Sequence, residues 1–580
     1  MTLTLKTCSP SSNRSTLAGD DSHLFHHKSY RTHTTTLFFV LVSLSFFVIF
    51  SLYCSSPNAI YRAALFTTTR QAKPGIVSSS SYVINVQDSS HRRRIRAEGV
   101  LWPGWEIMVI VSPDENVTTP PIPGENNYTC FYPNGEKTTA RFAVTLPFTN
   151  RTTFKCNLPG IYRHHHPIPT PILASSESFE LSPETLWPDL PLWNFVVFDT
   201  ISTENDVVLF VKGPNRGLGS KKPPGTFRCV FGEESDSAVR TVVTSSVQEV
   251  FRCPFPNVTM DYPVKVYLER VATDKEAMKV VPSVAYFSPK RRLAEPLEKP
   301  LLCATTMVYN VAKYLREWVM YHARIGIQRF IIYDNGSDDE LNDVVEGLKS
   351  ERYDVTKVLW IWPKTQEAGF SHAAVYGNDS CTWMMYLDVD EFLFSPVWSN
   401  QSKPSDQMIR SLLPSDQSMI GQVSFKSLEF GPSNQTKHPA GGVTQGYTCR
   451  REEEQRHKSI VLLSAVEHSL YTAIHHFSLR GEYEWRVADR EEGVVNHYKY
   501  QAWRQFKAKF KRRVSAYVVD WTRVSNPTSR DRTPGLGFKP IEPEGWAQKF
   551  CEVMDTRLKR LTEKWFGYPQ KNGYRMAWQR

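Results

Sequence analysis

The residues with the clearest capacity for chemistry are two aspartates one position apart, Asp388 and Asp390. An uncharged run of apolar and aromatic residues, 383–387, leads directly into them, which predicts that both carboxylates emerge where a buried strand ends. Two carboxylates at this spacing can bind one hard divalent cation and leave sites on it for water and diphosphate oxygens. The alternative is a surface turn, which often carries Asp-x-Asp; the strand before it favours the metal site.

A second candidate is the loop after another predicted strand, RFIIYD, which ends at Asp334. One interpretation of this Gly-containing segment, 333–339, is a turn that caps the following helix. The other adds a donor-binding role for Asp334, within reach of a nucleoside beside the metal. Three residues at the end of the preceding strand would line the same crevice: Thr306, Tyr309 and Asn310.

A third set lies further along the chain. His497 follows a short apolar run and could complete the metal shell, although a single histidine is more often structural. Arg456 and Lys458 could face the diphosphate, or lie at the solvated start of a strand. The glutamates at 452–454 supply carboxylates for a general base, which must take a proton from an acceptor hydroxyl; the sequence alone does not separate the three.

The elements that position these residues begin at about 297. Apolar strand patterns alternate there with amphipathic helices such as KYLREWVMYHARIG, giving a β-α-β-α-β series. Such a series forms a parallel sheet with right-handed crossovers, and ligands gather at the carboxyl ends of its strands. We therefore predict an α/β catalytic domain over 297–570.

Residues 96–290 have a different pattern, with short β segments separated by Pro, Gly and Asn, which predicts a β-sandwich. Two similar Cys–Cys spacings within it suggest the disulfides Cys130–Cys156 and Cys229–Cys253, although spacing does not fix connectivity. Cys303, Cys381, Cys449 and Cys551 are left unassigned. Four tryptophans of this segment are candidates for a glycan platform, with core packing as the alternative: Trp102, Trp105, Trp187 and Trp193.

The first part of the chain predicts a membrane anchor. Residues 37–54 form an uncharged apolar run that can just cross a bilayer, preceded by a polar cytosolic tail, 1–36, and followed by a Ser/Thr/Arg-rich stem, 55–95. A cleaved signal peptide is the alternative, but the apolar region of a signal peptide begins within a few residues of a basic start. Asn-x-Ser/Thr sequons after the anchor support a lumenal location, and the glycosylation sites we expect are Asn116, Asn127, Asn150, Asn257, Asn378, Asn400 and Asn434. Asn335 also begins a sequon but lies inside the Asp334 loop, so we expect it to be unmodified.

Taken together, several motifs resemble glycosyltransferase family 92, and more narrowly its plant galactan β-1,4-galactosyltransferases. They are the run VYNVAKYLREWVMYHARIGIQRFIIYDNGSDD, then Gln366 with His372, then YLDVDEF, QRHKSIV and NHY. The resemblance covers roughly 297–570. The preceding β segment is similar to the non-catalytic module of those plant proteins, here a proposed carbohydrate-binding module.

The resemblance implies a GT-A fold and inverting transfer of galactose from UDP-galactose to β-1,4-galactan of pectic side chains. It implies Mn²⁺, with Mg²⁺ as the alternative, bound by Asp388, Asp390 and His497. Donor contacts would come from the strand-end residues, and also from Gln366, His372, Arg456 and Lys458. Glu454 is the favoured general base, although Glu452 and Glu453 compete with it. The protein would be a single-pass type II Golgi membrane protein with its catalytic domain in the lumen, and a homodimer is a further expectation.

Two other functions remain open from the sequence. The first is a membrane-tethered glycan-binding protein without activity, which leaves the two aspartates without a purpose. The second is a glycosyltransferase with a different UDP-sugar donor. Hydrolase motifs such as Gly-x-Ser-x-Gly and His-Glu-x-x-His are absent from the sequence. The anchor, the sequons and a net charge of only +10 argue against nucleic-acid binding.

Overall fold

The computed structural model describes residues 94–579. It omits short stretches at 116, 118–127, 148, 165, 176–184, 216–218, 233–236, 258–262, 273–277, 289–297, 416–417, 474 and 572, and a longer one at 516–541. The predicted tail, anchor and nearly all of the stem, together with Asn116 and Asn127, lie outside the described residues. Among the residues that are described, no helix has the length and apolar character needed to cross a bilayer.

The β-rich segment divides into two small sandwiches, where the sequence predicted one. The first packs a sheet of order β1-β8-β4-β5 on a sheet of order β2-β3-β7-β6 around a common core. Its strands are β1 (Arg94–Ile95), β2 (Ala97–Trp102), β3 (Glu106–Val111), β4 (Tyr128–Phe131), β5 (Lys137–Thr139), β6 (Arg141–Thr145), β7 (Thr152–Asn157) and β8 (Ile172–Ser175).

The second sandwich packs a sheet of order β13-β14-β10-β9 on a sheet of order β12-β11-β15-β16, in which β17 also pairs with β15. Its strands are β9 (Val196–Ser202), β10 (Asp206–Lys212), β11 (Phe227–Phe231), β12 (Val239–Val242), β13 (Ser245–Val247), β14 (Val250–Pro254), β15 (Val264–Arg270), β16 (Lys279–Val281) and β17 (Tyr286–Phe287).

Each sandwich contains one of the disulfides predicted from spacing. Cys130–Cys156 joins β4 to β7 across the first sandwich, and Cys229–Cys253 joins β11 to β14 across the second. The four unassigned cysteines form two further bonds, Cys303–Cys381 and Cys449–Cys551.

The second half of the chain builds the predicted parallel sheet and extends it with antiparallel strands. The path through this ten-stranded sheet is β20-β19-β18-β21-β24-β23-β28-β22, with β27 beside β23 and β29 beside β24. The pairs β18–β19, β19–β20 and β18–β21 are parallel, whereas β21–β24 and β23–β24 are antiparallel. The predicted β-α-β-α-β series is therefore present, and β24 continues it.

The strands of this half are β18 (Leu302–Val308), β19 (Arg329–Asp334), β20 (Val355–Leu359), β21 (Trp383–Tyr386), β22 (Glu391–Phe394), β23 (Ile420–Phe430), β24 (Cys449–Leu462), β25 (Thr472–Ala473), β26 (His476–Phe477), β27 (Glu484–Val487), β28 (Val494–His497), β29 (Val553–Met554), β30 (Gly567–Gln570) and β31 (Gly573–Met576). The helices are α1 (Ala312–Arg324), α2 (Leu341–Ser350), α3 (Gln366–Tyr376), α4 (Val443–Gly446), α5 (Trp503–Ser515) and α6 (Arg557–Phe566). Five 3₁₀ turns complete the described elements: Gly160–His164, Pro396–Asn400, Arg410–Leu412, Leu463–Ala465 and Trp546–Gln548.

The sandwiches and the α/β part share one apolar core. Along β10, Val207, Leu209 and Val211 face the interior of the second sandwich, whereas Val208 and Phe210 face the large sheet and α3. Successive side chains of a strand point to opposite faces. One face of β10 is therefore covered by the second sandwich and the other by the α/β part. The same alternation occurs in β3 and β9, so the sandwiches form one layer against the α/β sheet. The domain boundary near 290 stays a prediction.

Trp193 lies at the centre of this shared core. Its ring stacks on Trp362 with centroids 5.9 Å apart, and its indole N–H donates to the carbonyl of Pro363 at 2.9 Å. Trp193 and Trp362 lie on opposite sides of the predicted boundary, so this contact fixes the position of the sandwich layer against the loop after β20.

We expect Trp193→Ala to lower the free energy of unfolding by about 3–5 kcal/mol, because it removes a large buried ring and leaves a cavity between the two layers. Urea denaturation followed by tryptophan fluorescence and circular dichroism measures this. Trp485→Ala is the matched control, since Trp485 is 54% exposed and its removal should change stability little. Equal losses in the two variants would contradict the shared core.

Candidate active site

The order of the parallel strands creates a crevice beside β18. The chain passes from β18 outward through β19 to β20 on one side, and then returns through α3 to β21 on the other side. In open α/β sheets this reversal is the switch point, and ligands bind outside the carboxyl ends of the strands there. Here those ends are Val308 on β18 and Tyr386 on β21, two residues before Asp388.

A cavity of about 600 Å³ occupies this crevice. Its volume lies within the range of about 300–1,000 Å³ that is usual for small-molecule sites. Five of the predicted metal-binding and donor-binding residues line it together: Tyr309, Gln366, Asp388, Asp390 and His497. The fold therefore brings residues from four separate parts of the chain together in one cavity.

A tight turn between β21 and β22 presents the two aspartates. The amide N–H of Asp388 donates to a carboxylate oxygen of Glu391 at 2.9 Å, and the amide N–H of Glu391 donates to the carbonyl of Asp388 at 3.0 Å. The side-chain amide of Gln366, at the start of α3, donates to Asp388 at 3.4 Å. Glu391 therefore closes the turn, and Gln366 on α3 holds the side chain of Asp388.

Glu391 is completely buried behind the turn. The ammonium of Lys458 lies 2.7 Å from one of its carboxylate oxygens and 3.7 Å from Asp388. Burial raises the pKa of the Glu391 carboxyl to about 7, although Lys458 acts in the opposite direction. Burial acts to lower the pKa of Lys458, but the combined attraction of Glu391, Asp388 and Asp390 outweighs it and the pKa is raised.

His475 is the other partner of Lys458. Burial, and after it the charge of Lys458, lowers the pKa of His475 to about 3, so the imidazole is neutral. Its Nε2 therefore accepts a hydrogen bond from the Lys458 ammonium at 2.7 Å. Lys458 bridges a neutral acceptor and the buried carboxylate, and this role differs from the diphosphate contact expected from the sequence.

His497 reaches the cavity because β28 pairs with β22, which sets it directly opposite Glu391. Its Nδ1 is 3.5 Å from Glu391, and its Nε2 is 3.8 Å from Asp390. The ammonium of Lys509, on α5, contacts the carboxylate of Asp390 and lies 3.5 Å from His497 Nε2. A positive group therefore lies among the predicted metal ligands.

Across the described part of the chain, no three His, Cys, Asp or Glu side chains are grouped closely enough to form a metal site. The donor set nevertheless fits a cation. Carboxylate oxygens and an imidazole nitrogen are ligands for Mn²⁺ and related ions, and the Lys509 ammonium contacts two of the three residues.

Asp334 holds the loop at 333–339 in shape but does not line the cavity. Its carboxylate accepts the amide N–H of Ser337 at 2.8 Å and lies 3.4 Å from the Lys357 ammonium. The following two residues, Asn335 and Gly336, form the wall, and Gly336 has a φ of +82°, a conformation that favours glycine. The side-chain amide of Asn335 donates to the backbone carbonyls of Trp360 and Trp362.

Several predicted donor residues lie elsewhere. Thr306 is fully buried within β18, and Asn310 is bonded to Asp338 in the loop. His372 bonds to the Tyr333 hydroxyl at 2.7 Å and packs on Trp360 in the shared core. Arg456 is exposed and does not line the cavity.

The glutamates considered as bases do not line the cavity either. Glu454 pairs with Lys426 at 2.8 Å and with Arg490 at 3.9 Å. The reason is the length of β24, a single strand of 14 residues. Glu454 precedes Lys458 by four positions, about 13 Å along an extended strand. Glu452 and Glu453 are further away still, so the structure does not place the favoured base at the site.

The sequence analysis missed Lys509 and the role of Glu391. Lys509 had a weak signal, because Gln501, Gln505 and Lys509 recur every fourth position and all three line the cavity. Glu391 follows the Asp-x-Asp motif directly, but its burial is a tertiary property. The expected glycosylation sites that the structure describes, Asn150, Asn257, Asn378, Asn400 and Asn434, are all exposed.

Comparison with known proteins identifies the family. The sequence profile of glycosyltransferase family 92 matches residues 299–533. A family 92 protein of Arabidopsis thaliana is 40% identical over 398 residues, which cover 67% of this chain and 69% of that protein. A family 92 protein of Oryza sativa subsp. japonica is 40% identical over 403 residues, covering 66% and 68%. The chain belongs to glycosyltransferase family 92.

The resemblance noted from the sequence is thereby confirmed for the family, whereas the names of these relatives give no donor or acceptor. Among solved structures, a mannosyltransferase from Pyrobaculum calidifontis in complex with GDP-Man and Mn²⁺ matches 42% of this family 92 chain and 71% of its own, with 11% identity and a TM-score of 0.23. That TM-score is low.

We expect Lys458→Met to lower the free energy of unfolding at pH 8 by about 3–5 kcal/mol, because it leaves a buried carboxylate without its cation. The folded-state pKa of Glu391 is already raised, so its contribution to stability falls as pH rises from about 4.5 through 7. Without Lys458 the folded-state pKa of Glu391 should rise further, so this fall should extend to higher pH, and part of the lost stability should return as the pH is lowered from 8 to 5.

Chemical denaturation across this pH range tests the expectation. The double variant Lys458→Met with Glu391→Gln should recover stability at pH 8. Lys426→Met, at a half-exposed lysine, is the control and should leave the pH profile unchanged. A Lys458→Met profile parallel to that of the parent would show that the pair does not govern this turn.

Proposed function

We propose that this family 92 glycosyltransferase is an inverting, metal-dependent enzyme that transfers galactose from UDP-galactose to the non-reducing end of β-1,4-galactan. The observation that carries the proposal is the convergence of Asp388, Asp390 and His497 on one cavity at the switch point of the sheet. The choice of galactose and galactan rests on the motif resemblance described above, and so does the GT-A assignment.

Asp388, Asp390 and His497 are the residues that would hold Mn²⁺ or Mg²⁺. When bound there, such an ion supplies positive charge that stabilises the diphosphate leaving group. The chain prepares these ligands in advance, since Gln366 orients Asp388 and the buried Glu391 fixes the turn that joins the two aspartates.

The nucleoside would bind against the wall formed by Tyr309, Asn335 and Gly336, at the ends of β18 and β19. Asp334 acts on the donor indirectly, because its hydrogen bond to Ser337 holds this loop in shape. The acceptor 4-hydroxyl would attack the anomeric carbon from the face opposite the UDP, so that an α-linked donor gives a β-linked product. Glu454 pairs with Lys426 outside the cavity and is therefore not the base that accepts the hydroxyl proton.

We further propose that the protein is a type II Golgi membrane protein with this site in the lumen. The uncharged run at 37–54 and the exposed sequon asparagines support that location. A glycan-binding protein without activity is the competing function, and a different UDP-sugar donor is the competing substrate.

The deciding experiment incubates the purified full chain with Mn²⁺, short β-1,4-galactan and each member of a UDP-sugar panel. We expect elongated galactan with UDP-galactose. Elongation with only another UDP-sugar would replace galactose as the donor sugar. The absence of both transfer and hydrolysis with every UDP-sugar would favour the glycan-binding protein.

We expect Asp390→Asn to reduce transfer at least about 100-fold with little change in melting temperature, because it removes a ligand of the cation that would stabilise the leaving group. Initial rates at saturating UDP-galactose measure this. Asp406→Asn, at an exposed aspartate that does not line the cavity, is the matched control and should keep the parent rate. Near-parent activity of Asp390→Asn with unchanged Mn²⁺ dependence would remove the metal assignment.

We expect His497→Ala to raise the Mn²⁺ concentration for half-maximal activity by about tenfold or more, because the two aspartates would hold the ion without the imidazole. A purely structural His497 makes a different prediction, namely a lower melting temperature with an unchanged Mn²⁺ requirement. Titrating Mn²⁺ against the variant and the parent distinguishes the two roles.

A further inference from the structure

The first β-sandwich contributes directly to the cavity. The tip of its β2–β3 hairpin, Trp102–Pro103–Gly104, and Lys155 on β7 line the same space as Asp388 and Asp390. The hairpin can place its tip there because Gly104 adopts a φ of +88°, which closes the short connection. The segment expected to be an accessory module therefore forms part of the active-site wall.

We propose that this wall completes the donor site, with Lys155 binding the diphosphate of the nucleotide sugar. This inference rests on the proposed function and adds a phosphate-binding group from outside the catalytic domain predicted at 297–570. A chain shortened to that domain would retain both aspartates but lose this contact.

The wall is held rigidly against the catalytic residues. The ring of Trp102 packs edge-on against Trp193 at 6.3 Å, and Trp193 in turn stacks on Trp362 and bonds to Pro363. The indole N–H of Trp362 donates to Asp199 of β9 at 2.8 Å.

The loop after β20, which contains Trp362 and Pro363, also places a second lysine in the cavity. Lys364 lines the cavity, and its backbone carbonyl accepts a bond from the Lys212 ammonium of β10 at 2.8 Å. One set of contacts therefore fixes both Lys155 and Lys364 relative to the site.

The charge around Lys155 favours an anion. Its nearest carboxylate is Glu106, 3.5 Å away, but Glu106 also bonds to Arg141 at 2.7 Å. Two cations share one carboxylate, so the wall carries an excess positive charge. The Lys155 ammonium also lies 5.5 Å from the centre of the Trp102 ring, which orients it without neutralising it.

The ligand that matches this charge is a diphosphate. Three lysines line the cavity, Lys155, Lys364 and Lys509, against two aspartates that would bind the proposed cation. Lysine ammonium groups bind phosphate oxygens as point charges. A neutral sugar acceptor has no charge for Lys155 to recognise, which is why the donor is the favoured ligand.

The test measures UDP binding to the full chain by isothermal titration calorimetry with Mg²⁺ present. We expect Lys155→Met to weaken UDP binding about tenfold and to reduce its dependence on salt concentration. Lys155→Arg should restore most of the affinity because the charge is kept. Lys137→Met is the matched control, an exposed lysine over the Phe131 ring of the same sandwich, and should bind UDP like the parent.

Melting temperatures of the variants show whether each is folded, and Lys155→Gln replaces Lys155→Met if the latter is unstable. Unchanged UDP affinity in the folded variant would overturn the inference, and a raised KM for galactan alone would assign the wall to the acceptor. If the parent binds no UDP, the proposed function itself is contradicted. If the parent and Lys155→Met bind UDP equally well, only the role of Lys155 is contradicted.

Discussion

The site depends on a carboxylate that never reaches the cavity. Glu391 is fully buried, closes the turn through the amide of Asp388, pairs with Lys458 and lies beside His497. Burial of a charged group is costly unless it is paired and hydrogen-bonded, so this arrangement is stable only when all its partners are in place. Glu391 thereby connects the turn that carries Asp388 and Asp390 to His497 on the paired strand β28.

A second level of organisation comes from the layer of β-sandwiches. Strands buried on both faces bind this layer to the α/β sheet, and the loop after β20 is held between them by Trp193 and Asp199. The cavity therefore has one wall from the parallel sheet and another from the first sandwich. In this protein the segment before the catalytic domain is structural support for the site as well as a separate glycan-binding candidate.

The sequence predicted those parts of the site that depend on local pattern. Apolar runs that end in polar residues located Asp388, Tyr309 and the loop at 333–339, because the carboxyl ends of neighbouring parallel strands must meet. Cysteine spacing also named the two pairs within the sandwiches. Glu454, the base favoured from the sequence, lies outside the cavity, because the length of β24 and its pairing with β23 cannot be predicted from periodicity. Lys155 and Lys509 were missed because they reach the site through packing between segments far apart in the chain.

The most direct measurement of the central claim is a structure of the full chain with UDP and Mn²⁺, with the ion located by its anomalous scattering. We expect the ion on Asp388, Asp390 and His497, and the Lys509 ammonium moved from Asp390 to the diphosphate or to solvent. An ion bound away from these residues, or Lys509 still paired with Asp390 in a UDP-bound molecule, would contradict the assignment of this cavity as a metal-dependent transferase site.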